Sequence, residues 1–217
     1  MRIRHLPALF AVALLAACGS TPPSPDWQIN TQAALEGFEK AYLDGNVVSA
    51  ERNFARARAE AARTGLPEWV ARVELARCAT RAAALDFDAC PAYAALRDGA
   101  TAEEENYAAF IAGDWQRVDA KLLPKQYAAV LKGGAAELAG IKDPLSRLIA
   151  AGVLFRQGAI TPQGIATAVD TASGQGWRRP LLAWLGVELK RAEAAGDTAA
   201  IAQLRRRIAL VESSLGR

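Results

Sequence analysis

The chain has 217 residues, of which 52% are hydrophobic and 23% charged, with a formal net charge of +3. Its only His is His5, so a chain processed beyond that residue can hold no Ser-His-Asp triad, Cys-His pair, HExxH zinc site or His general base. Without residues 1–17, which include Arg2 and Arg4, the charge falls from +3 to +1, a near-neutral balance that argues against a nucleic-acid partner.

Met1 to His5 is a short basic start, and Leu6 to Ala17 carries no charge. That run is shorter than the about 20 apolar residues a membrane-spanning helix needs, and the pattern is that of a secretory signal. Leu15-Ala16-Ala17-Cys18 resembles the lipobox of bacterial lipoproteins. The resemblance implies a signal peptide over 1–17, a diacylglyceryl group on the Cys18 thiol, cleavage before Cys18 and acylation of the new amine. An ordinary secretory signal followed by a chance Cys is the competing reading. One acyl chain gives marginal binding at about 0.8 kcal/mol per CH₂, so two or three on one residue are needed to hold a domain at a bilayer. Gly19, where an Asp in that family marks inner-membrane retention, implies the outer membrane with the domain facing the periplasm. Residues 18–30 then form the acylated Cys and a tether whose Pro22, Pro23 and Pro25 favour an extended path at about 3.1 Å per residue.

From residue 31 to 217 the sequence predicts an all-α domain. Ala, Leu, Arg and Glu dominate and are strong helix formers, and no run alternates β-branched residues as a strand would. Helices are expected over 31–44, 47–63, 67–85, 102–112, 114–121, 124–132, 144–157, 162–173, 180–195 and 198–215, with short helical turns at 91–98 and 134–141 and a subdomain seam near 86–101. Pro67, Pro144, Pro162 and Pro180 suit the first helical turn, where a missing N–H costs nothing. Asp143 and Thr161 suit N-caps. Thr101 and Glu104 fit a capping box, with Glu103 to Glu105 at the positive end of the helix dipole.

Three turns look alike: Leu43-Asp44-Gly45-Asn46, Ile111-Ala112-Gly113-Asp114 and Ala194-Ala195-Gly196-Asp197. In each, Gly can end one helix in the left-handed conformation and Asn or Asp can cap the next. The first two are 68 residues apart, twice the period of tetratricopeptide repeats, and Ala50, Phe54 and Ala57 match the small-large-small pattern of that repeat's second helix. The third turn, 83 residues further on, breaks that period, so the region 31–85 resembles one and a half degenerate tetratricopeptide repeats. A generic antiparallel helical bundle is the alternative, so the expected architecture is a tetratricopeptide-like α-solenoid or a helical bundle.

Candidate site residues are few. Cys78 and Cys90, the cysteines beyond Cys18, read as a disulfide in an oxidising compartment; two Cys without His make a poor metal site. Asp86-Phe87-Asp88 lacks the later Gly and distal Glu of a calcium loop. Leu181, Trp184, Leu185 and Leu189 share one helix face and read as core. Arg52, Arg56, Arg63, Arg77 and Arg81, interspersed with Glu, read as a solvated face. Trp177, Arg178 and Arg179 follow a two-glycine link, and Trp and Arg on a loop are the types enriched at binding hot spots; the bland reading folds Trp177 over the next helix. No catalytic residue, metal or cofactor is indicated. The expected function is a protein-interaction scaffold or assembly factor for an envelope complex; a carboxylate-dependent cell-wall enzyme and a subunit of a secretion or pilus machine are the rivals.

Overall fold

Apolar residues spaced three or four apart place Ala34, Phe38 and Tyr42 on one side of α1 (Asp26–Leu43). They meet Ala50, Phe54, Ala57 and Ala61 on α2 (Val47–Ala62), with the Phe38 and Phe54 rings 5.4 Å apart. The small-large-small face of α2 is thus the face buried on α1. The remaining helices are α3 (Pro67–Ala83), α4 (Pro91–Ala94), α5 (Ala102–Ala112), α6 (Ala128–Gly133), α7 (Pro144–Arg156), α8 (Pro162–Gln175), α9 (Arg178–Ala195) and α10 (Thr198–Ser213). The computed structural model describes residues 24–214, among which there is no strand. The protein is all-α, built mainly from helices packed on their chain neighbours; the largest departure is α7, which lies against α3.

Two apolar cores share α3. Val70, Val73 and Ala84 join the α1–α2 core, while Ala71, Leu75, Ala79, Ala82 and Ala83 join the larger one formed with α5 to α10. Opposite faces of α3 thus serve different cores. Leu96, Leu145 and Trp177 pack against both.

α3 and α7 approach as closely as backbones can. A Cβ at Gly152 would stand 2.1 Å from the Ala82 carbonyl oxygen. One residue on, the buried Trp184 indole N–H donates to the Ala83 carbonyl at 3.1 Å, satisfying a C-terminal carbonyl that has no partner within its helix. Leu85 then turns left-handed, at φ 58°. The Leu85 N–H bonds the Ala82 carbonyl at 3.0 Å and the Asp86 N–H bonds the Arg81 carbonyl at 3.1 Å, the Schellman pattern usually closed by Gly. The chain doubles back, and Cys78 and Cys90 are joined by a disulfide with Cα atoms 6.0 Å apart. Asp86 and Asp88 both face Arg81, and Asp86 also accepts from the Tyr42 hydroxyl at 2.8 Å. The acidic pair read as an incomplete calcium loop is an arginine clamp.

Three expectations change. The helix expected at 31 starts at Asp26, inside the segment read as tether, because Trp27 packs edge-on against Trp69 with centroids 4.9 Å apart. The helix expected over 114–121 is a single 3₁₀ turn, Trp115–Arg117. Buried Asn106 holds Asp119 by both backbone groups, accepting its N–H at 2.7 Å and donating to its carbonyl at 3.0 Å, and this pulls the chain out of helical pairing. Helix α9 starts at Arg178, not Pro180; a third-position Pro is tolerated because first-turn N–H groups have no helical acceptor.

Candidate functional site

The cleft that gathers the most chemistry lies between α1, α3 and the N-terminus of α7, with a volume of about 740 Å³. Helix α1 contributes Glu36 and Glu39, one turn apart; α7 contributes Asp143 and Ser146; Tyr107, Gln126 and Tyr127 line it beneath, and Gln175 and Trp177 also border it. Asp143 is fixed as the α7 N-cap, accepting the Ser146 N–H at 2.7 Å. The Tyr107 and Tyr127 rings stack at 5.9 Å.

The electrostatics are lopsided. Burial first, then the neighbouring carboxylates of Asp143 and Glu36, push the Glu39 carboxyl up to about 7 from its usual 4.5. Lys40 also lines the cleft but lies 3.6 Å from Asp44, and among the described residues no lysine or arginine forms an ion pair with Glu36, Glu39 or Asp143. Burial holds the Tyr107 phenol well above its ordinary range and raises Tyr127 too, so both remain neutral donors at physiological pH. Such a cleft attracts cations, and Glu39 can gain or lose a proton near neutrality.

The sequence-derived site residues fall in different places. Cys18 lies outside the described residues. Cys78 and Cys90 form their disulfide away from the cleft. Trp177 borders the cleft, half-buried; its backbone N–H donates to the Ala172 carbonyl at 3.0 Å, closing the end of α8. The adjoining arginines turn inward to this chain. Arg178 donates to the Ser214 carbonyl at 2.8 Å. Arg179 donates to the Tyr42 carbonyl at 2.8 Å and stacks 4.3 Å over the Tyr42 ring. Glu36, Glu39 and Asp143 escaped sequence reasoning as a site. Asp143 shows itself in sequence only as a cap, and the one available signal was Glu39, an acid between Phe38 and the apolar Ala41-Tyr42 stretch.

Cys78, Asp88 and Cys90 present ligand-type atoms within 4.8 Å of one another. The two sulfurs are bonded to each other, and Asp88 faces Arg81 while accepting the Cys90 N–H at 2.8 Å. This donor set does not suit a cation.

Compared with known proteins, the chain matches no family model, and neither a curated protein nor a solved structure matches it.

Proposed function

We propose that this chain is a lipoprotein held at the outer membrane through acylated Cys18, whose periplasm-facing helical domain is a protein-interaction scaffold for an envelope assembly. The observation that carries the binding role is the acidic cleft: Glu36, Glu39 and Asp143 beside Trp177 and two neutral tyrosines. Carboxylates with aromatic walls suit a lysine- or arginine-bearing segment of a partner protein, since the charge steers the encounter and the aromatic surface supplies contact area. A photo-cross-linker placed at exposed Glu36 in cells should capture a protein, and Glu39→Gln with Asp143→Asn should weaken that capture. Capture unaffected by the double change refutes the cleft as the docking site. Cys18→Ser should move the protein from the membrane fraction to the soluble one; unchanged, detergent-dependent fractionation refutes the anchor.

One observation favours the enzymatic rival. A carboxyl held near 7 beside a second carboxylate is the arrangement used for general acid–base work. Cell-wall fragments released by purified protein and lost in Glu39→Gln would select that reading over the scaffold.

A further inference from the structure

The acidic cleft is one half of a longer groove. A second cavity of about 540 Å³ lies at the N-terminal ends of α1 and α3, and Glu36 lines both. Along α1 the two cavities take a single stripe at helical spacing: Trp27, Thr31, Leu35 and Glu39. Along α3 they take Trp69, Val73, Ala76 and Thr80. Trp27 and Trp69 meet at one end, and Leu43 and Thr80 share the other. The two helices therefore run side by side in the same direction, and the groove follows them. From Trp27 to Leu43 it is about 24 Å long at 1.5 Å per residue.

The two halves differ in chemistry. The N-terminal half is apolar, with half-buried Trp27, Leu35 and Trp69 and with Ile29, which is 54% exposed. Its one cation, Arg72, pairs with Glu104 and lies 4.4 Å over the Trp69 ring. The other half sets Glu36, Glu39 and Asp143 against Lys40 alone, which reaches Asp44. Both walls are helices, whose backbone groups bond within themselves, so the groove offers side chains and no backbone partners. An extended chain laid there would strip water from its N–H and C=O groups without replacing it, whereas a helix brings its own hydrogen bonds.

We propose that the whole groove receives one amphipathic helix of a partner protein, a reading that rests on the acidic half being a docking site. Apolar side chains of the helix cover Trp27, Ile29 and Trp69, and a lysine or arginine enters between Glu39 and Asp143. The charge of the occupant follows from the unpaired carboxylates and its form from the helical walls. Glu36 and Glu39 lie nine and twelve residues beyond Trp27, which is about 14–18 Å along the groove. The basic residue of the occupant must therefore stand about ten helical residues from its apolar cluster.

The probe is a synthetic alanine-based helix of about 18 residues, with Leu and Trp one turn apart near one end and two Lys about ten residues on. It is titrated into the purified domain by calorimetry. It should bind at least tenfold more tightly than an isomer whose Lys adjoin the apolar pair, and than a version interrupted by Pro. Ile29→Glu, at an exposed position, should weaken the full peptide at least fivefold, keep the melting temperature and leave a peptide with Lys alone unaffected. Glu39→Gln should weaken both peptides. Equal affinity for the isomer or the proline version, or no loss in Ile29→Glu, overturns the proposal; a Lys-only peptide still weakened by Glu39→Gln then leaves the acidic docking site standing. If no Lys-bearing peptide binds, both readings fall. If the domain dimerises and Ile29→Glu breaks the dimer, the occupant is a second copy of this chain, and the proposal is overturned.

Discussion

Replacing Gly152 by Ala should destabilise the protein although Ala is the better helix former. The added Cβ would sit 2.1 Å from the Ala82 carbonyl oxygen and 2.8 Å from its carbon, where ordinary contact begins at 3.4 Å. The shortfall is 3.4 − 2.1 = 1.3 Å, and the obstacle is backbone, so no rotamer change relieves it. α3 and α7 must part locally, loosening the packing of Ala82 and Ala83 and straining the Trp184–Ala83 bond. Overpacking of this kind costs about 1–3 kcal/mol, with the upper end expected against backbone, while the gain in helix propensity is about 1 kcal/mol. The net loss is about 2 kcal/mol, which for a chain of this size lowers the melting temperature by roughly 4–8 °C. Gly186, inside α9, has nothing within 4 Å of the corresponding position, so Gly186→Ala isolates the propensity term and should raise stability by about 0.5–1 kcal/mol. Urea unfolding followed by circular dichroism, with the disulfide intact, measures both. A Gly152→Ala protein as stable as the parent, or more so, refutes the close crossing.

Three further outcomes are expected. Changing Cys78 and Cys90 together to Ser should cost about 3 kcal/mol in the chain-entropy account of a loop with a sequence separation of 12, and mass spectrometry of unreduced protein should show no free thiol in the parent; equal melting of both proteins counts against the bond. The folded Glu39 holds its proton up to about pH 7 and the unfolded one only to about 4.5, so the native state binds more protons in between. Its stability contribution is thus complete below pH 4.5 and lost as pH rises to 7, by at most about 3 kcal/mol; Glu39→Gln should remove this slope, and an unchanged profile speaks against a buried acid. Arg179→Ala removes a hydrogen bond to the Tyr42 carbonyl and a cation–π contact, which should cost about 1–2 kcal/mol; a loss within measurement error in denaturant titration argues against this link between α1 and α9.

Local chemistry announced most of the helices. Thr101 and Glu104 form both halves of the capping box, Asp143 and Thr161 accept the N-terminal N–H groups expected of them, and Gly45, Gly113 and Gly196 are all left-handed. Such signals act over a single turn, so a short stretch carries them. The misreadings have long-range causes. Asn106 unwinds residues around Asp119 from another element, and Trp69 secures a start for α1 that the prolines before it hide. The cleft was illegible for the same reason: Glu39, Tyr107, Asp143 and Trp177 come from four separate segments, and an acid's neighbours across a fold leave no spacing in the chain. Trp177 was visible because Trp beside Gly and Arg stands out; its half-burial against both cores was not.

The clasp of Arg179 on Tyr42 bears on how the fold can come apart. In an open helical array each pair touches only its neighbours, so ends can melt while the middle survives. Here a residue of the ninth helix grips the end of the first across 137 positions, closing the chain into a ring through α3 and α7. Helices α1 to α9 should therefore lose structure together, in one cooperative step. α10, which buries only Leu204 and packs mainly on α9, lies outside that ring and is free to fray by itself, so hydrogen exchange should be fast there and uniformly slow in the helices the ring encloses.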